Sequence, residues 1–269
     1  MNKLMITQEA GVATVLIKNP PVNILTIDLI NELNAFILSL KDDRETKVVV
    51  FKSFHEAFFI AHLDLNVING TSGGQAASIE FNHMIANIKA MKQLSIAVVD
   101  GVARGGGNEF VMACDLAYGT EKSAFAQPEL YINIPTGGQG AVQLARRLGK
   151  GKALQALLTG ADFTAQQAET LNIITQFVLK AELDAFLAQL LSVIVGWEVR
   201  DIVMYKEIIA ASIKDEAVGT ELELRYFLER AKEEKTQAII AAFLKHGGQT
   251  DREAKDMQGI FLDTAAELL

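Results

Sequence analysis

The feature that most constrains this chain is an apolar run that breaks directly into a glycine triplet. Ile96-Ala97-Val98-Val99 is short, continuous and bounded by Asp100-Gly101, the pattern of a buried strand. Gly105, Gly106 and Gly107 follow. Three successive glycines cost backbone entropy, so the backbone there must need their freedom. Asn108 stands where an N-cap would, and Glu109-Phe110-Val111-Met112-Ala113 is predicted to begin a helix. A glycine loop feeding a helix N-terminus presents bare N–H groups beside a partial positive charge. Such a device binds an anion or stabilises an oxygen that becomes negative during a reaction.

Two carboxylates flank it. Glu109 falls in the first turn of the predicted helix, and Glu129 follows Gln127-Pro128. An isolated glutamate is ordinarily a solvated surface charge. Here Phe110, Val111, Phe125 and Leu130 surround the pair, which favours partly buried, functional acids.

Composition narrows the class. The 269 residues suffice for one large domain or a domain with an appendage, and half of them are hydrophobic. The formal net charge is −8 and no basic block stands out, so nucleic acid and anionic membrane are poor partners. No apolar run approaches the ~20 residues of a membrane span, and Gln8 and Glu9 interrupt any signal-type core near the start. Cys114 is the only cysteine, so no intrachain disulfide can form and a cytoplasmic location is expected. On the apolar side of its helix it reads as a buried structural thiol. The four histidines have no metal-ligand spacing, so no metal is expected.

In chain order, Val12–Ile17 reads as a strand, Thr26 as the cap of a helix over 27–40, and Val48–Phe51 as a buried strand. That succession suggests an α/β layer architecture. Gly70-Thr71-Ser72-Gly73-Gly74 has the letters of a nucleophile elbow, but Asn69 and Gly70 make a poor strand end and the only later histidines are His83, close by, and His246, near the C-terminus, so it reads as a flexible polar loop. Helical spacing runs over 78–94 and again over 151–160 and 165–171. Beyond Trp197 there is no proline, and the spacing predicts helices over 201–213, 221–235 and 236–246, then one more over 248–269.

The stretch GVARGGGNE followed by ACDLAYGTEKSAFAQPEL resembles the core signature of the crotonase, or enoyl-CoA hydratase/isomerase, superfamily. Pro20-Pro21-Val22-Asn23 before a helix resembles that family's opening, and Phe59-Ile60-Ala61-His62-Leu63-Asp64-Leu65 its second segment. The resemblance implies an α/β fold with a ββα spiral core over residues 1–195 and a C-terminal α-helical oligomerisation region over 196–269. The spiral's internal repeats leave no periodicity in the sequence. The C-terminal helices would make a homotrimer or a dimer of trimers, and the loop near Gly70 would cover the acyl pocket.

By the same resemblance, the backbone N–H groups of Leu63 and Gly106 donate to a thioester oxygen. Glu109 activates water and Glu129 gives a proton to Cα. Val22 and the backbone from Ala61 to Asn66, with His62, Asp64 and Leu65, line a channel for coenzyme A. Gly105, Asn133 and Gly137 complete the substrate contacts. Coenzyme A enters as part of the substrate, and no bound cofactor is implied. The chain departs from the family pattern at His62, where Gly is usual, at Leu63, where a small residue is usual, and at Asn133, where Gly is usual. A backbone donor tolerates any side chain except proline, so these changes bear on pocket shape. His62 itself reads as a packing or hydrogen-bonding residue. The expected activity is water addition to a 2-enoyl-CoA. Double-bond isomerisation, another crotonase-type acyl-CoA reaction and non-catalytic acyl-CoA binding are the alternatives, and two retained glutamates argue against the last.

Overall fold

The structure is a computed structural model that describes residues 2–68 and 71–268. The chain divides into two compact units, Met1–Ile202 and Val203–Leu269, with the division inside one helix.

The first unit opens with antiparallel strands β1 (Leu4–Glu9) and β2 (Val12–Ile17), then helix α1 (Ile27–Ser39). Thr26 caps α1 by accepting a hydrogen bond from Leu29 N–H. Three turns of one pattern follow. Strands β3 (Val48–Ser53) and β4 (Phe58–Ile60) lead to α2 (Ser72–Ala90), and β5 (Leu94–Val99) and β6 (Val102–Arg104) lead to α3 (Gly106–Ala113). Strands β7 (Leu116–Gly119) and β8 (Ala124–Ala126) lead to α4 (Gly140–Thr159). Then come β9 (Phe163–Thr164), α5 (Ala165–Thr170), β10 (Gln176–Phe177) and α6 (Leu183–Ile194).

Each turn gives its first strand to one sheet and its second to another. The sheets run β1-β2-β3-β5-β7-β10 and β4-β6-β8-β9, parallel within the repeated turns. This is the ββα spiral expected from the resemblance. The central strands β3 and β5 of the first sheet are covered on both faces, which explains why they read as continuous apolar runs. Val49, Phe51, Ala97 and Val99 point into the main core with α1, α2 and α3. Their neighbours Val48, Val50, Ile96 and Val98 point the other way, onto Leu183 and Leu187 of α6.

Helix α7 (Val199–Lys214) carries the division between the units, and α8 (Glu216–Arg230), α9 (Glu234–Lys245) and α10 (Asp251–Leu268) form the helical remainder. Within that unit α9 and α10 are joined by the Phe243 and Phe261 rings, 5.9 Å apart, and by Glu267 beside both Lys245 and His246. No described helix is long and apolar enough to cross a membrane.

Several boundaries differ from the sequence expectation. Helix α2 starts at Ser72 because the Thr71 hydroxyl accepts from Gly74 N–H, so Ser72-Gly73-Gly74 is its first turn and not loop. Asn69 and Gly70 lie outside the described residues. Helix α4 starts at Gly140 and passes through a non-helical Gly149, and α10 likewise bends at Asp256. Helix α3 begins at Gly106, three residues before Glu109, and its cap position is Gly105. Asn108 is therefore inside the helix, with its side chain free to make other contacts.

Candidate active site

The glycine triplet works through backbone position. Gly105 has φ +50° and ψ −123°, a conformation open in practice only to glycine. It turns the chain from β6 into α3 while its N–H bonds Ala126 O at 2.9 Å. Gly107 serves close approach: a Cβ there would fall 2.0 Å from the carbonyl oxygen of Ile60 in β4. All eight residues of α3 are buried. The first N–H groups of a helix have no partner within it, so the start of α3 directs bare donors and the positive end of its dipole into the protein.

A second backbone donor lies close by. Leu63 forms an isolated parallel bridge with Leu25. Leu25 N–H bonds His62 O at 2.8 Å and Asp64 N–H bonds Leu25 O at 3.1 Å. Backbone groups of successive residues face opposite sides, so this clamp turns the N–H and C=O of Leu63 away from Leu25. Its C=O accepts from His62 Nδ1 at 2.8 Å. Its nitrogen lies 3.1 Å from the point where a Cβ on Gly106 would sit, which sets the backbones of Leu63 and Gly106 side by side.

The carboxylates complete the site. Glu109 is 2% exposed, and its Oε1 accepts from Gly138 N–H and Gly140 N–H, each at 2.7 Å. Burial pushes its pKa up to about 7, with the Glu129 charge adding to the rise and the two N–H groups opposing it. Glu129 opens a 3₁₀ turn, Glu129–Ile132, and is half-buried. Its Oε1 accepts from Gln127 Nε2 at 3.0 Å, while its buried Oε2 has no hydrogen-bond partner. Burial raises its pKa also. Gln127 is itself held by Asn108, whose Nδ2 donates to Gln127 Oε1 at 3.0 Å. The residue expected to cap a helix instead anchors the chain that orients Glu129.

Both glutamates face one cavity of about 420 Å³, together with Gly105, Gly106, Leu63 and His62. Leu65, Ile68, Phe81, Ile132 and Ile134 make much of the remaining wall apolar, and Gly137 also lines it. Val22, Ala61, Asp64, Asn66 and Asn133 do not line the cavity. Val22 is half-buried in a turn and Ala61 is buried. Asp64 accepts from the Asn66 backbone N–H at 3.0 Å, capping the short helix Leu65–Val67. Asn133 ends the 3₁₀ turn with φ 61° and ψ 34°. That left-handed conformation is one asparagine tolerates, so it does the backbone work of a glycine with its side chain exposed.

Sequence reasoning missed Gln127, Asn108, Gly138 and Gly140 as members of the site. The Gln-Pro-Glu and Gly-Gly-Gln-Gly segments were visible signals, but their pairing with Glu129 and Glu109 depends on loops that meet only in the folded chain.

The geometry suits a reaction in which a carbonyl oxygen gains charge while protons move on adjacent carbons. Comparison with known proteins identifies the family. The Enoyl-CoA hydratase/isomerase family model matches residues 7–250. The short-chain-enoyl-CoA hydratase of Clostridium acetobutylicum is 29% identical over 186 residues, 68% of this chain and 71% of that protein. A probable enoyl-CoA hydratase of Rhizobium meliloti is 27% identical over 246 residues, 90% of this chain and 94% of that one. The crystal structure of an enoyl-CoA hydratase from Bacillus anthracis superposes with a TM-score of 0.83 at 22% identity, covering 91% of this chain and 96% of that one, a likeness of fold. The chain belongs to the enoyl-CoA hydratase/isomerase family, with its mixed α/β crotonase fold and C-terminal helices.

Proposed function

We propose that the protein adds water across the double bond of a 2-enoyl-CoA thioester. The observation that carries this reading is the sharing of one cavity by two raised-pKa carboxylates and two adjacent backbone donors. The thioester oxygen accepts from Leu63 N–H and Gly106 N–H, which become more valuable as the oxygen gains negative charge. Losing one such donor typically costs ~100–1,000-fold in rate. Ionised Glu109 takes a proton from water as its oxygen bonds Cβ, and protonated Glu129 delivers a proton to Cα. Burial raises both carboxyls, and the charge of Glu129 raises Glu109 further, which favours keeping a proton on the pair. Coenzyme A is the carrier of the substrate.

One observation favours a second reading. Glu129 Oε2 has no hydrogen-bond partner, which leaves it able both to take and to return a proton, as a double-bond isomerase requires.

The test is to incubate the protein with short 2-enoyl-CoA thioesters in ¹⁸O-labelled water and analyse the product by mass spectrometry. Hydration predicts a 3-hydroxyacyl-CoA carrying one labelled oxygen. Unchanged substrate across the series would sink the proposal.

A further inference from the structure

Besides the hydroxyls of Ser78, Tyr131 and Thr136, the cavity wall carries two nitrogen-bearing side chains without a role in the proton transfers just described. They are Arg104 and His62, and they flank Gly105. Arg104 is its chain neighbour, and the Cβ of His62 lies 3.7 Å from where a Cβ on Gly105 would be. Glu129 Oε1 lies 3.2 Å from that same point, so the two side chains border the region beside the proton donor.

Each has one edge occupied and one edge open. Arg104 holds Asp162 through Nε to Oδ1 at 2.7 Å and Nη2 to Oδ2 at 2.6 Å. That is the side-on fork of the guanidinium. The end-on fork, made of Nη1 and the second hydrogen of Nη2, has no partner among the described residues. Asp162 thus fixes the plane of the guanidinium without consuming it. A carbonyl can only accept, so the His62 contact with Leu63 O makes Nδ1 the protonated nitrogen. Nε2 is then the open edge of the ring.

A simple alkyl chain passing these groups would remove water from their open polar edges and give nothing back, which is unfavourable. A planar group with two acceptor oxygens matches the free end-on fork, because arginine and carboxylate meet through two parallel hydrogen bonds. We propose that the acyl group of the substrate carries a carboxylate, with Arg104 as its anchor and Asp162 as the residue that orients Arg104. The substrate class is the coenzyme A monothioester of an unsaturated dicarboxylic acid.

The inference rests on the enoyl-thioester reading of the same cavity, and its test keeps the two apart. The probes are synthetic 2-enoyl-CoA thioesters of four to eight acyl carbons, each made with a terminal carboxylate, a terminal hydroxyl and a terminal methyl. Hydration kcat/KM is measured for each. The proposal expects the carboxylate form to exceed its methyl partner by about tenfold or more at one chain length. It also expects that ratio to collapse towards one in Arg104→Met. If that variant loses its circular dichroism, Arg104→Lys takes its place: it keeps the charge but not the fork, and a markedly reduced ratio is expected. Methyl or hydroxyl forms preferred at every length would overturn the proposal and leave the hydratase reading standing. An undiminished carboxylate preference in a folded variant would remove Arg104 from it. No hydration of any probe would overturn the enoyl-thioester reading itself.

Discussion

Glu109 is a buried acid whose neutral form the fold prefers, and that preference has a direction in pH. Its folded pKa, about 7, lies above the ordinary 4.5, so between those values the folded state binds more protons than the unfolded one. Stability contributed at this position is therefore whole at low pH and falls as pH rises from about 4.5 to about 7. The penalty above that window is on the order of 3 kcal/mol. Glu109→Gln removes the ionisable group yet keeps an oxygen for the N–H groups of Gly138 and Gly140. Denaturant unfolding should find the variant more stable than the parent at pH 8 and nearly equal to it at pH 4. Equal stabilities at pH 8 would show that burial does not strain this carboxylate. Such a trade, stability given up for a charge in the right place, is common at active sites.

At the scale of elements, the site depends on α3 lying against β4. Gly107→Ala would put a Cβ 2.0 Å from Ile60 O, backbone against backbone, and the helix would have to withdraw. Overpacking of this kind costs roughly 1–3 kcal/mol or more, and withdrawal would separate Gly106 from Leu63. The expected outcome is a lowered denaturation midpoint together with lost activity. A variant of parental stability would mean that α3 does not pack as described. The same packing explains what was legible beforehand. The buried strands at 48 and 96 and the helix after Thr26 carry strong local patterns, and the glycine triplet beside Glu109 announced a site. Strands β4, β6 and β8 are three residues each, too short to show any period. Asn108 was misplaced because a capping residue type next to a glycine run looks like a helix start, and only the fold shows that α3 is capped by backbone geometry at Gly105. Leu63 as a donor came from resemblance alone, because its orientation is set by the bridge to Leu25, thirty-eight residues earlier in the chain.

On the scale of the whole molecule, the C-terminal unit leaves large apolar side chains uncovered. Phe227, Leu228, Ile240 and Leu244 are each more than 40% exposed, and exposed apolar area of this kind marks association surfaces. We propose that further copies of the chain cover it, as trimers or dimers of trimers. Sedimentation at micromolar concentration should give a species of several times 29.3 kDa, and a clean monomer would refute this. The site, by contrast, is assembled from separate segments of the first unit, since Leu63 follows β4, Glu109 lies on α3 and Glu129 follows β8. The most direct test of the two-carboxylate mechanism follows two reactions in parallel, water addition to a 2-enoyl-CoA and conversion of a 3-enoyl-CoA to its 2-enoyl isomer. Each is measured with the parent, Glu109→Gln and Glu129→Gln. Glutamine keeps shape and hydrogen bonding but cannot transfer the proton, an effect worth ~100–10,000-fold. If both carboxylates serve hydration, each variant loses water addition by that order. Near-normal hydration by Glu109→Gln, or isomerisation that survives it while hydration was absent from the start, would contradict the mechanism and leave Glu129 as a lone proton shuttle.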